Sequence, residues 1–227
     1  MIALVALGII YQISPQIPLL ALVCFGLTWI AVLLGFVQVL CYARGAAKGF
    51  VTKPWLRIVI ALCILAGAFH LIVIMRMRGT FWLVYLIALA VAMDTGAYTA
   101  GRLLGRKKLS PNVSPNKTWN GVLGGLVVML LTTTGVLLYL KHFVQVGLGI
   151  WCFAFGLTLL FGVLAVYGDL YESVQKRIAK KKDSSNLLPG HGGVMDRVDA
   201  LLFMVPLMPI FKAFLFVMLM AHGQTHL

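Results

Sequence analysis

Residues 147–168 read GLGIWCFAFGLTLLFGVLAVYG, twenty-two residues without one charged side chain. Wound as an α-helix, a run of that length rises about 33 Å, enough to cross a hydrocarbon core about 30 Å thick. The residues that follow, DLYESVQKR, turn abruptly polar. Working outward, apolar runs recur at 1–14, 17–41, 56–75, 80–100, 121–140 and 200–221. The run at 1–14 is short for a span, with Gln12 and Gln16 close by. The fold class predicted is an all-α integral membrane protein of about seven transmembrane helices. No internal repeat or low-complexity linker breaks the pattern, and the chain reads as a single domain. Within it, residues 1–79 supply N-terminal transmembrane helices and residues 80–227 carry the polar blocks.

The composition agrees. Hydrophobic residues make up 61% of the 227 residues and charged ones only 11%, against about 25% charged in soluble domains. Cys24, Cys41, Cys63 and Cys152 lie in or beside apolar runs and form no CxxC pair. They read as small buried hydrophobes, not as a disulfide or zinc set. Met1 leads straight into IALVALGII without a basic region, so no cleavable signal peptide is expected.

The net charge of +13 is unevenly spread. Fifteen basic residues fall in three loops. Arg44, Lys48, Lys53 and Arg57 are in the first; Arg102, Arg106, Lys107, Lys108 and Lys117 in the second; Lys176, Arg177, Lys180, Lys181, Lys182 and Arg197 in the third. With seven spans these loops share one side, and the other side has only Arg76, Arg78 and Lys141. The positive-inside rule puts the rich side in the cytoplasm, the N-terminus with it and the C-terminus opposite. Lys212, inside the last apolar run, is expected to snorkel.

The six acidic residues are Asp94, Asp169, Glu172, Asp183, Asp196 and Asp199. Asp94 and Asp169 fall in or at the ends of apolar runs, where a bare carboxylate is costly and asks for a cation, a metal or a basic side chain. If the helix containing 147–168 continues past Asp169, then Asp169, Ser173 and Lys176 share one face. Asp196 and Asp199, three apart, share another. The stretch KDSSNLLPGHGGVMDRVD, residues 182–199, packs three aspartates, His191, Arg197 and three glycines between two apolar runs. Its PGHGG loop lets backbone approach a ligand closely. Together these form one polar site on the basic side. Three or four of the carboxylates Asp169, Asp183, Asp196 and Asp199 suit a hard divalent cation such as Mg²⁺. The nearby Lys and Arg residues suit phosphates. A Ser-His-Asp hydrolase is disfavoured, since no GxSxG elbow occurs. The residues alone reach a membrane enzyme acting on a phosphorylated substrate with metal assistance.

Residues 173–199, SVQKRIAKKKDSSNLLPGHGGVMDRVD, resemble the signature of phosphatidate cytidylyltransferases, also called CDP-diacylglycerol synthases, of the bacterial type. Ser173, Lys176, Arg177, Lys182, Asp183, Pro189, His191, Gly192, Gly193, Asp196, Arg197 and Asp199 match it at fixed spacing. Gln175 departs from it, standing where the family has an apolar residue, and is expected to adjust packing. Residues 94–121, DTGAYTAGRLLGRKKLSPNVSPNKTWNG, are similar to a second family segment, with Asn120 in place of Glu or Gln. The likeness covers roughly residues 80–221, and the chain is short beside bacterial members.

The resemblance implies the reaction CTP + phosphatidate → CDP-diacylglycerol + pyrophosphate, in a bacterial inner membrane, at a Mg²⁺-dependent site facing the cytosol. It implies catalytic roles for Asp169, Lys176, Arg177, Lys182, Asp183, His191, Asp196, Arg197 and Asp199. Substrate binding falls to Asp94, Ser114, Lys117, Thr118, Ser173, Gly192 and Gly193. The loop bearing Ser114, Lys117 and Thr118 is expected to fold over the same site. CTP, phosphatidate and membrane lipids are the expected partners, with no nucleic acid. The Gly121-x-x-x-Gly125 spacing permits close helix packing within the chain or in a homodimer. Two other readings stay open: a CTP-dependent lipid kinase, and a transporter with Asp94 on an ion path.

Overall fold

The computed structural model describes residues 18–45, 53–77, 80–142, 147–181, 184–185 and 193–211. Within them the chain runs α1 (Pro18–Ala43), α2 (Pro54–Met77), α3 (Phe81–Leu104), β1 (Lys108–Ser110), β2 (Ser114–Thr118), α4 (Trp119–Leu140), α5 (Leu148–Ile178) and α6 (Met195–Met204), with a 3₁₀ turn at Val205–Leu207. Proline opens α1 and α2, where its missing N–H costs nothing and its fixed φ suits a first turn. The protein is mostly helical. Five helices among the described residues are long and apolar enough to cross a membrane, and Val198–Phe211 forms a shorter apolar one. The expected spans at 1–14 and beyond residue 211 lie outside the described residues.

Bilayer packing physics explains which faces are buried. Helix α1 leaves Val23, Leu27, Ile30, Leu33 and Val37 exposed, a stripe at helical spacing that suits lipid. The opposite face carries Thr28, Ala31, Val32, Gln38 and Val39 into the interior. Between α3, α4 and α5 a run of hydroxyls is buried: Tyr85 Oη lies 2.9 Å from Thr133 Oγ1, and Thr133 Oγ1 lies 2.8 Å from Thr158 Oγ1. Such interhelical bonds contribute about 0.6 kcal/mol each in a membrane.

Helices α3 and α4 meet through small residues. A Cβ on Gly96 would come within 2.7 Å of Gly124 O, and one on Gly125 within 2.8 Å of Met93 O. The Gly121-x-x-x-Gly125 spacing is therefore used within the chain.

One feature departs from the all-α expectation, and another meets a condition that the sequence left open. First, α3 and α4 are joined by an antiparallel hairpin, with Lys108 opposite Thr118 and Ser110 opposite Ser114. Val113 at its turn is fully buried. Second, α5 continues ten residues past the apolar run, to Ile178. Its polar end still buries Leu170, Tyr171, Glu172 and Val174. The helix stops where Lys180 takes a left-handed φ of 54°. There Lys181 N–H bonds Lys176 O at 2.9 Å and Lys180 N–H bonds Arg177 O at 3.1 Å, the paired bonds of a Schellman ending.

Three contacts gather the basic loops at one end of the bundle. Asn112 donates to Ala43 O at 3.1 Å, Arg177 Nε to Val113 O at 3.3 Å, and Arg57 Nε to Gln175 Oε1 at 2.7 Å.

Candidate active site

The polar extension of α5 is the axis of the site. Asp169, Ser173 and Lys176 do share one face, and they line a cavity of about 660 Å³. Helix α3 supplies Asp94, Tyr98 and Arg102 to the same cavity at intervals of four. The hairpin supplies Ser114, Asn116, Lys117 and Thr118. Lys117 Nζ forms an ion pair with Asp169 Oδ2, joining the hairpin to α5. Arg102 donates to Tyr98 Oη at 2.9 Å. The two polar blocks of the sequence are thus one site.

A second cavity, of about 450 Å³, lies on the other side of α5, walled by α2 and α6. Ile58, Ala61, Ile64, Leu65, Leu202 and Phe203 make much of its lining, and Arg57, Glu172, Lys176, Lys181 and Asp199 are its charged residues. Lys176 lines both cavities and pairs with the buried Glu172 at 2.8 Å. Ile58 and Leu65 are also exposed on the outer surface, so the second cavity reaches the lipid-facing side of the bundle.

Asp169 and Asp199 come together because Gly168 has no side chain. A Cβ there would stand 2.5 Å from Asp199 O and 3.1 Å from Ala200 Cα, so α6 can lie directly against α5. Asp199 sits ahead of the apolar run at 200, and its Oδ1 accepts from Ala200 N at 2.7 Å. Burial, followed by the charge of Asp169, pushes its carboxyl up to about 7, with Lys117 pulling the other way and Asp94 adding to the rise. Among the described residues no three His, Cys, Asp or Glu side chains gather closely enough to hold a metal. Among the described carboxylates, Asp169 and then Asp94 act on Asp199 electrostatically.

Two expected site residues have other contacts. Arg177 lines neither cavity; its Nε holds the hairpin turn through Val113 O. Thr118 lines the larger cavity, but its hydroxyl accepts from Gly121 N at 3.1 Å and caps α4. Gly193 is buried against Ser184 and Ser185, and a Cβ would collide with the Ser184 hydroxyl. Lys182, Asp183, His191 and Gly192 lie outside the described residues, as do the side chains of Asp196 and Arg197. Asn120 donates to Leu104 O, tying the start of α4 to the end of α3. Sequence reasoning missed Arg57, Tyr171 and Glu172. Only Glu172, four residues before Lys176, carried a readable signal.

Comparison with known proteins adds to this geometry. A family model described as the cytidylyltransferase family matches residues 1–215. The chain belongs to that family. Relatives named phosphatidate cytidylyltransferase share its sequence in part. That of Staphylococcus aureus strain COL is 39% identical over 135 residues, 60% of this chain and 50% of the relative. That of Haemophilus influenzae is 43% identical over 138 residues, 60% of this chain and 47% of the relative. The chain spans about half the length of these family members.

Proposed function

We propose that this cytidylyltransferase-family chain transfers the cytidylyl group of CTP to phosphatidate, releasing pyrophosphate. The observation that carries the reading is Lys176, which lines both the cavity shared by α3, the hairpin and α5, richer in hydroxyl, amide and charged side chains, and the more apolar one walled by α2 and α6. A soluble triphosphate and a lipid phosphate need such neighbouring sites, the lipid's the more apolar. The names of the relatives support the same substrates.

In this reading the nucleotide occupies the larger cavity. Lys117 and Arg102 meet its phosphates, and Ser114 and Ser173 offer hydroxyls. The lipid phosphate enters from the second cavity and meets Lys176. A phosphate oxygen of the lipid attacks the α-phosphorus of CTP as the bond to pyrophosphate breaks, and the basic residues neutralise the departing charge. Positioning and charge neutralisation carry such a transfer, and no covalent enzyme intermediate forms.

The residues fit a divalent cation. Asp199 is half-buried and feels the charge of a second carboxylate, Asp169, a repulsion that a cation relieves. Mg²⁺ is held by one or two carboxylates plus substrate phosphates, not by an all-protein cage, so this pair is an adequate protein share. Asp183 and Asp196 stand in the same sequence signature as further ligands. When bound, Mg²⁺ offsets charge on the phosphates and the leaving pyrophosphate.

The loops gathered at the site's end of the bundle carry most of the basic residues, which supports an inner-membrane protein with its site facing the cytoplasm. The test is incubation of detergent-purified protein with α-labelled CTP, phosphatidate and Mg²⁺. CDP-diacylglycerol with stoichiometric pyrophosphate is expected. Release of CDP instead would make the protein a lipid kinase, and ion flux without CTP turnover would make it a transporter.

A further inference from the structure

We propose that Arg57 and Tyr171 form a subsite for the phosphate monoester of the lipid acceptor, with Gln175 and Gln38 holding Arg57 in register. The inference rests on the assignment of the second cavity to the lipid, and goes beyond it by naming what recognises the head. None of these four residues is a matched position of the two signature segments.

Gln38 is 1% exposed within the apolar helix α1, where an amide is costly unless bonded. Its Oε1 accepts from Gln175 Nε2 at 3.1 Å. Gln175 Oε1 in turn accepts from Arg57 Nε at 2.7 Å. The amide of Gln175 is thus fixed by its two ends, which sets the plane of the guanidinium. Nε is one of the five donors of arginine; the other four, on Nη1 and Nη2, form the fork that grips a phosphate bidentately. Gln175 therefore does more than adjust packing: it is a positioning residue, linking α1, α2 and α5.

Tyr171 supplies an independent sign of a ligand. It lines the same cavity and is 7% exposed. Its hydroxyl is buried without a hydrogen-bond partner among the described residues. The ring cannot simply turn away, because it lies against Gly35 and 5.3 Å from the ring of Phe203. Arg57 is within electrostatic reach of this hydroxyl. A buried donor beside a fixed guanidinium, at the head of an apolar cavity that reaches the lipid-facing surface, matches an anionic head on an apolar tail. Lys176, on the same cavity, leads from this subsite to the nucleotide side.

The experiment is direct binding in detergent without CTP, using dioctanoyl phosphatidate, dioctanoylglycerol and inorganic phosphate as probes. Phosphatidate should bind the wild type far better than either other probe. Arg57→Ala should weaken it by about tenfold to a hundredfold, Tyr171→Phe by about fivefold, and Gln175→Leu by an intermediate factor. Arg57→Lys should fall between wild type and Arg57→Ala, since a point charge replaces a fork. CTP affinity, measured on the same samples, should move less than twofold. Equal phosphatidate binding by wild type, Arg57→Ala and Tyr171→Phe would overturn the subsite, as would equal loss of CTP affinity, which marks general misfolding. Inorganic phosphate binding as tightly as phosphatidate would reduce it to an anion site without lipid. Absence of CDP-diacylglycerol formation alongside Arg57-dependent phosphatidate binding would overturn the reaction and leave the subsite standing.

Discussion

Lys117 and Asp169 neutralise each other across the gap between the hairpin and α5, yet both line the cavity assigned to the nucleotide. Lys117→Met and Asp169→Asn should each slow CDP-diacylglycerol formation by at least about 10²-fold. Measured rates for the double variant should show less than additive loss, because the two side chains act as a pair. Asp199 allows a check by pH. Its carboxyl titrates near 7 in the folded protein against an ordinary 3.8. Between those values the folded state holds a proton that the unfolded state has released, so stability falls as pH rises through that window. In chelator, Asp199→Asn should therefore melt above the wild type at pH 8 and alongside it near pH 4. At this scale the sequence was legible where residues fall in one motif, as with Asp169, Ser173 and Lys176. It was illegible for Arg57, which reads as a topology charge. Its partner Gln175 is 118 positions away, and no local pattern encodes that pairing.

Among the elements, α5 and α6 depend on one missing side chain. Gly168→Val would force α6 away from α5, since even a Cβ meets Asp199 O at 2.5 Å. The overpacking should cost about 1–3 kcal/mol and separate Asp169 from Asp199. Activity should fall steeply while the protein still inserts. Gly156→Ala, where a Cβ meets nothing within 4 Å, is the matched control and should be nearly silent. Thermal melts and turnover on both variants decide the point. The long helices were visible as apolar runs because hydropathy marks what lies in lipid. It does not mark where a helix stops, which is why the polar end of α5 was only conditional. The hairpin escaped notice because strands of three and five residues, with Pro111 and Pro115 around its turn, give no alternating pattern to read.

For the whole molecule, the strongest sequence signal was the charge asymmetry. The structure ties the three basic loops to one end through Asn112, Arg177 and Arg57. On the proposed inner-membrane placement, in a background lacking Cys24, Cys41, Cys63 and Cys152, a cysteine at Ser184 should label only after that membrane is permeabilised. One at His142, which follows the opposite end of α4, should label in intact spheroplasts. Reversed labelling would overturn the cytoplasmic placement of the site. The count of seven spans rests on 1–14 and on 200–221, of which only the first half, in the apolar helix Val198–Phe211, lies among the described residues; the described helices long enough to span number five.

The exposed apolar wall of the second cavity, at Ile58 and Leu65, has a kinetic corollary. An acceptor that arrives by lateral diffusion is sensed as molecules per area of bilayer, not per volume of solution. For the transfer proposed above, diluting phosphatidate with inert phosphatidylcholine at constant total phosphatidate should slow the reaction in proportion to mole fraction while the Km for CTP stays fixed. Output would then track the crowding of the leaflet itself, and a membrane enlarged without fresh acceptor would throttle its own supply of activated lipid.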